Sequence, residues 1–284
     1  MAQGLHQEAE GFGFLEAPRW HAGYLWLVDY FSRCVLRWRP GSEPQVMATV
    51  EGVPGGLGFL PDGTPLVVSQ RDLQVLAIGR DGAVRVYADL APYARGAANE
   101  LLVDPMGRAY VGHHGFDFFG GAPLRPSSLL RIDTGGKVDV VAEGLIFPNG
   151  MALTSDGGTL VVAESFAHRL TSFTVDRSGA LSAPRDWALL GEHTPDGVCL
   201  DADGAVWTGS PLTGQFLRVA AQRGVIDAIP TTNARWAVAC VCGGAQRRTL
   251  FCVTAETTLE DMPRGLGRAF IESVELAVGG AGFP

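Results

Sequence analysis

Charge is scarce in this chain. Only 18% of its 284 residues are Asp, Glu, Lys or Arg, against about a quarter in an ordinary soluble domain. The little charge there is leans acidic, to a formal −8. Lys and Arg form no clusters, which argues against a nucleic-acid partner or an anionic membrane. No run approaches the roughly 18 apolar residues of a membrane span. The opening Met1-Ala2-Gln3-Gly4-Leu5-His6-Gln7-Glu8 lacks the basic start and apolar stretch of a secretory signal. The five cysteines (Cys34, Cys199, Cys240, Cys242, Cys252) are odd in number, sit mostly in apolar runs and show no zinc spacing. They are expected to be buried thiols in a reducing cytoplasm, with a disulfide from Cys240 or Cys242 to Cys252 as the alternative. Motifs of nucleophile and nucleotide chemistry are absent too. There is no Gly-x-Ser-x-Gly elbow, and Gly55-Gly56-Leu57-Gly58 is followed by no helix that would make it a phosphate cradle.

What the chain has in quantity is glycine, 38 residues, with 17 prolines and 46% hydrophobic residues. That mixture suits many short buried strands joined by tight turns. The strands recur in register. Glu16-Ala17-Pro18-Arg19-Trp20 leads through a turn into Tyr24–Val28, and Gly56–Leu60 leads through Pro61-Asp62-Gly63 into Pro65–Val68. The same pattern begins again at Asn99, Asn149, Asp196 and Ala237. Each unit continues with two more strand-like runs, such as Cys34–Trp38 and Gln45–Val50 in the first and His168–Val175 and Asp186–Leu190 in the fourth. Four short strands repeated at intervals of roughly 40–50 residues predict a β-propeller. The expected fold is therefore all-β, a six-bladed β-propeller with a central metal site, in a single domain spanning 1–284. The last unit is one strand short, and the segment around Gly4–Glu8 is expected to close the ring.

Antiparallel blades sort the polar residues by face. The start of each first strand lies on one face, here called near, and the turn after it lies on the far face. The Asp62-Gly63, Asp156-Gly157 and Asp203-Gly204 pairs fall on the far face and read as tight turns. The unit heads ring the channel on the near face. Four of them, Glu16, Asn99, Asn149 and Asp196, carry side-chain oxygens, the donor type preferred by hard cations. Burying them together without a cation would cost several kcal/mol for each unpaired charge. The expected cofactor is one divalent cation, Ca²⁺ first, with Mg²⁺, Mn²⁺ or Zn²⁺ as alternatives.

Three of these motifs, Glu16-Ala17-Pro18-Arg19-Trp20, Phe147-Pro148-Asn149-Gly150-Met151-Ala152 and Thr194-Pro195-Asp196-Gly197-Val198, resemble the senescence marker protein/gluconolactonase/luciferin-regenerating enzyme family, and the likeness runs from about Phe12 to Ala277. The resemblance implies a six-bladed propeller with a channel cation and Glu16, Asn149 and Asp196 as ligands. It makes Asn99 a fourth ligand in one branch and a substrate contact in the sugar-lactonase branch. One departure bears on substrate. Sugar-lactonase members commonly carry Arg two residues before that Asn, whereas this chain has Ala97, which removes a guanidinium suited to polar hydroxyls and favours a less polar lactone or ester.

The expected activity is metal-dependent hydrolysis of a small-molecule lactone or related ester, with the metal polarising the carbonyl and water attacking. A non-catalytic calcium- or ligand-binding propeller and an organophosphate-type hydrolase are the alternatives. Asp196 is the candidate base or nucleophile, and His113 or His114 a candidate acid/base unless they hold their own loop. Asn99, Glu100, Phe116 and Phe118 are candidate substrate contacts. Asp29 and Glu164, at the ends of second strands, are candidate supports for the ligands.

Overall fold

The computed structural model describes residues 4–283, so Met1–Gln3 and Pro284 of the expected domain lie outside it. After β1 (His6–Phe12), the first blade holds β2 (Leu15–His21), β3 (Tyr24–Asp29), β4 (Cys34–Trp38) and β5 (Gln45–Thr49). The second holds β6 (Pro54–Phe59), β7 (Pro65–Ser69), β8 (Gln74–Ile78) and β9 (Val84–Asp89). The third holds β10 (Ala98–Val103), β11 (Ala109–His113), β12 (Ser127–Ile132) and β13 (Val138–Leu145), and the fourth β14 (Pro148–Leu153), β15 (Thr159–Glu164), β16 (Arg169–Val175) and β17 (Leu181–Leu189). The fifth holds β18 (Val198–Asp201), β19 (Val206–Ser210), β20 (Gln215–Ala220) and β21 (Gly224–Pro230), and the sixth β22 (Trp236–Gly243), β23 (Thr249–Glu256) and β24 (Arg268–Glu275). The sixth blade is completed by β1, which pairs antiparallel with β24 from His6↔Ser273 to Phe12↔Ala269. The ring is closed by pairing the first strand of the chain with the last strand of the sixth blade.

The core lies between the blades rather than within any one of them. Six apolar clusters occupy the six interfaces; that between blades six and one, for example, sets Val238, Val241 and Phe251 against Leu15, Leu25 and Leu27. Trp26, Trp38 and Trp207 are buried in this packing, and Trp20 stacks on Phe251. All five cysteines are free thiols. Cys240 and Cys252 face each other across the β22–β23 ladder, and Cys199 Sγ lies 3.9 Å from Cys242 Sγ, without a bond. Among the described residues, no helix is long and apolar enough to cross a membrane.

Two features differ from the sequence reading. The outer strand of blade four begins at Leu181, five residues before the expected Asp186, because Ser182–Asp186 are exposed and carry no apolar alternation. Only their pairing with β16 makes them a strand, and an outermost strand tolerates Pro184. The second is β25 (Gly280–Ala281), which adds to the channel side of β18 through Leu200↔Ala281 and Asp201↔Gly280. Beyond it Phe283 exchanges two 2.8 Å backbone hydrogen bonds with Leu153 at the far end of β14. The tail thus crosses the far end of the channel, a position that its sequence, Val278–Phe283, does not signal.

The inner strands approach one another more closely than side chains allow. A Cβ on Gly56 would stand 2.0 Å from Leu101 N, and one on Gly150 would stand 2.4 Å from Asp196 O. Glycine at these positions is a packing requirement. We expect Gly56→Ala, in a blade without a candidate ligand, to lower the unfolding free energy by about 3 kcal/mol, read from the denaturant midpoint; an unchanged midpoint would show that β6 and β10 are not this close.

Candidate active site

Four of the unit heads stand apart in burial from their neighbours. Within Leu15–Arg19 of β2 and along β10 and β14, Glu16, Asn99 and Asn149 are each the one partly accessible residue in a buried stretch, and Asp196, just before β18, has the same intermediate exposure. The cause is a repeated irregularity. The ladder slips between Glu16 and Arg19, between Ala98 and Leu101, and between Pro148 and Met151. Such bulges at a barrel rim re-aim side chains. One of them contains a non-glycine residue in the left-handed region, Ala17 (φ 49°), and another such residue, Phe147 (φ 53°), immediately precedes the third; strain of that kind gathers at functional sites.

The re-aimed groups meet at the channel axis. Glu16 feels the charges of Asp196, Glu100 and Arg19, and Asp196 feels Glu100 and touches the amide of Asn149. Burial first, and these neighbouring carboxylates second, push both Glu16 and Asp196 well above the ordinary carboxylate range. Asn99 Nδ2 donates to Pro148 O (3.2 Å), and Asn149 Nδ2 donates to Ser165 Oγ (3.2 Å), whose hydroxyl donates to Pro195 O (2.7 Å). With each amide nitrogen engaged, each amide carbonyl oxygen is left for another partner.

The charge balance tests whether a cation fits. Glu16, Asp196 and Glu100 share the axis with one guanidinium, that of Arg19. Three carboxylates and one guanidinium carry a formal charge of minus two when ionised, the charge a single divalent cation neutralises. Among the described residues no three His, Cys, Asp or Glu side chains are disposed to hold a metal on their own; the candidate set depends on its two amides, and its all-oxygen chemistry is that of a hard cation.

The structure sorts the other candidates. Glu100 is buried, and its Oε2 accepts from Arg19 Nη2 at 2.6 Å, while the same nitrogen donates to Leu101 O (2.9 Å). Sequence reasoning missed Arg19 because it lies one residue before a tryptophan in an apolar strand; its place three residues after Glu16 was the available signal. His113 is buried, with Nε2 2.9 Å from Ser128 Oγ and Nδ1 3.0 Å from Arg95 O. It is the last residue of β11, and the last residue of other second strands acts in the same way on the loop that leads into its own blade. Asp29 accepts from Gly13 N and Phe14 N, Glu164 from Ile146 N at 2.6 Å, and Ser210 Oγ from Thr194 N at 3.2 Å. Aligning the six strand ends in the sequence would have grouped His113 with these anchors. His114 is buried, stacks on Phe147 with ring centroids 4.4 Å apart, and is held down to a pKa of about 4, chiefly by that burial. Phe116 and Phe118 belong to the same aromatic cluster. Ser165 and Tyr30 were also missed. The Tyr30 hydroxyl lies beside the Arg71 guanidinium and within the field of Glu16.

Residues 14–256 match the family described as SMP-30/Gluconolactonase/LRE-like region. Over 200 residues the chain is 30% identical to pentonolactonase XacC of Haloferax volcanii, an alignment covering 68% of this chain and 65% of that protein, so it spans just under two thirds of the relative's length. The fold superposes on a luciferin-regenerating enzyme with a TM-score of 0.82 at 18% identity, covering 98% and 97% of the two chains. It superposes on a calcium-binding protein, regucalcin, from Agrobacterium tumefaciens with a TM-score of 0.77 at 19% identity, covering 96% of each.

Ser165 gives a test of the amide donors that leaves the carboxylates in place. Ser165→Ala removes the group that orients Asn149, and loss of such a support costs about 10-fold or more in metal affinity. We expect calcium titration by calorimetry to show that weakening, and Asn149→Ala to abolish stoichiometric binding. Metal content unchanged in Asn149→Ala would remove Asn149 from the site.

Proposed function

The chain belongs to the SMP-30/gluconolactonase/LRE-like family, and on that premise we propose that it hydrolyses a lactone or related ester at the near end of the channel. Glu16, Asn99, Asn149 and Asp196 would hold one divalent cation, calcium first. The observation that carries the reading is the charge balance: three carboxylates and a single guanidinium on one axis, beside two amides with free carbonyl oxygens. The likeness to a pentonolactonase supports lactone chemistry, and the likeness to a calcium-binding regucalcin supports the choice of cation.

When bound, the cation supplies Lewis-acid polarisation of the scissile carbonyl. The remaining work falls to the chain. Asp196, fixed by contact with the Asn149 amide, takes the proton of the attacking water and returns it to the leaving alkoxide. Asn99, anchored on Pro148 O, serves both as ligand and as the group that orients the ring oxygen. Glu100 acts through Arg19 to hold the backbone around Asn99, and does not touch substrate. His113 holds the loop before Asn99, His114 packs the aromatic loop 114–121 against Phe147, and neither carries a proton in the reaction, since the ring nitrogens of His113 are engaged and His114 is buried under Phe147.

Lactone hydrolysis followed by pH-stat, before and after chelation and with calcium added back, tests this reading. We expect chelation to abolish turnover and add-back to restore it. Asp196→Asn should lower kcat by about 1,000-fold, whereas His113→Gln should cost less than about tenfold. A calcium-loaded protein that turns over no lactone or ester would sink the proposal.

A further inference from the structure

The residues two before the unit heads form a second set around the ring of blades, where each loop enters its inner strand. In chain order they are Phe14, Pro54, Ala97, Phe147, Thr194 and Arg235. Four are apolar. Arg235 is buried and engaged by Glu256 and Glu272, with its guanidinium 3.4 Å from the Phe270 ring centroid. Only Thr194, whose buried Oγ1 lacks a partner, keeps a free polar atom.

Aromatic clusters build this set outward on opposite sides of the mouth. On the side of blades three and four, Phe147 lies 4.7 Å from Phe166 and 5.4 Å from Phe118 between centroids, and Phe118 lies 5.5 Å from Phe166. Phe118 and Phe166 are half-buried and keep free ring surface. On the side of blades one and six, Phe14 packs on Tyr30, Phe31 and Trp236 at 6.2, 5.7 and 6.5 Å.

A hydroxyl buried against such walls loses its water and gains no partner, whereas each buried methylene strengthens binding about fourfold. We infer that the substrate is a lactone or ester whose substituent is hydrocarbon, an alkyl chain or aromatic ring laid against Phe118, Phe147 and Phe166, and not a polyhydroxylated one. This rests on the hydrolase reading above and narrows it to a substrate class. Ala97 fits the same assignment, since it puts a methyl group where a donor would be needed to hold hydroxyls.

The test uses the calcium-loaded protein and a series of γ-lactones bearing no substituent, butyl and hexyl, with glucono-δ-lactone as the polyol. We expect kcat/KM to rise at least tenfold from the unsubstituted to the hexyl ring, mainly through KM, and to exceed that for the polyol at least 100-fold. Phe118→Ser should cut the hexyl-to-unsubstituted ratio about tenfold. Phe166→Leu, a milder change, should cut it about threefold and guards against misfolding of the first variant. Preference for the polyol, or a flat response to chain length, would overturn the inference while leaving the hydrolase standing. Failure on every lactone and ester would overturn the hydrolase reading, and this inference with it.

Discussion

The placement of the candidate ligands depends on one hydrogen-bonding device, used in each of the four blades that carries one. The last residue of a second strand reaches across to the loop that leads into the first strand of its own blade. Asp29 does this for the loop before Glu16, His113 for the loop before Asn99, Glu164 for the loop before Asn149, and Ser210 for the loop before Asp196. The loops enter the channel irregularly, through bulges and left-handed residues, and such backbone persists only where its surroundings over-determine it. The side chains differ in chemistry, two carboxylates, an imidazole and a hydroxyl, because what is repeated is a position that bonds the loop backbone, not a residue type: Asp29, Glu164 and Ser210 accept from loop N–H groups, whereas His113 Nδ1 meets Arg95 O.

That device explains what the sequence could and could not reveal. The blades were legible because apolar runs and turn glycines recur in register, and the ring of heads followed from topology. Asp29 and Glu164 were legible as candidate supports for the ligands, because they end second strands on the near face; that they act through the backbone of the loops was not. His113 was ambiguous because histidine carries a catalytic connotation that its position in the repeat overrides. The outer strand from Leu181 and the tail strand were invisible for another reason: both are made by backbone pairing with a neighbour, and backbone leaves no mark in side-chain pattern. Arg19 was hidden by its company, a single charge among buried residues.

The Arg19–Glu100 pair also shows why a buried charge here does not signal stability. A buried ion pair gives little net stabilisation against its desolvation cost, yet removing Arg19 would leave Glu100 uncompensated beside two more carboxylates. Its value is that it fixes the strand next to Asn99 through Leu101 O while keeping the axis short of positive charge.

The tail that runs from β25 to Phe283 has a consequence for traffic. It lies along the inner edge of blade five and bonds to the end of blade four, with Arg247 and Ser155 bonding to its backbone. Phe283 then faces Trp20, His21 and Phe59 across the remaining width. The tail thus narrows the channel at its far end. In the hydrolysis proposed above, the uncharged ester would enter at the near mouth and the acid made from it would leave past the same aromatic walls. A newly formed carboxylate has no affinity for those walls, and its charge speeds its return to water.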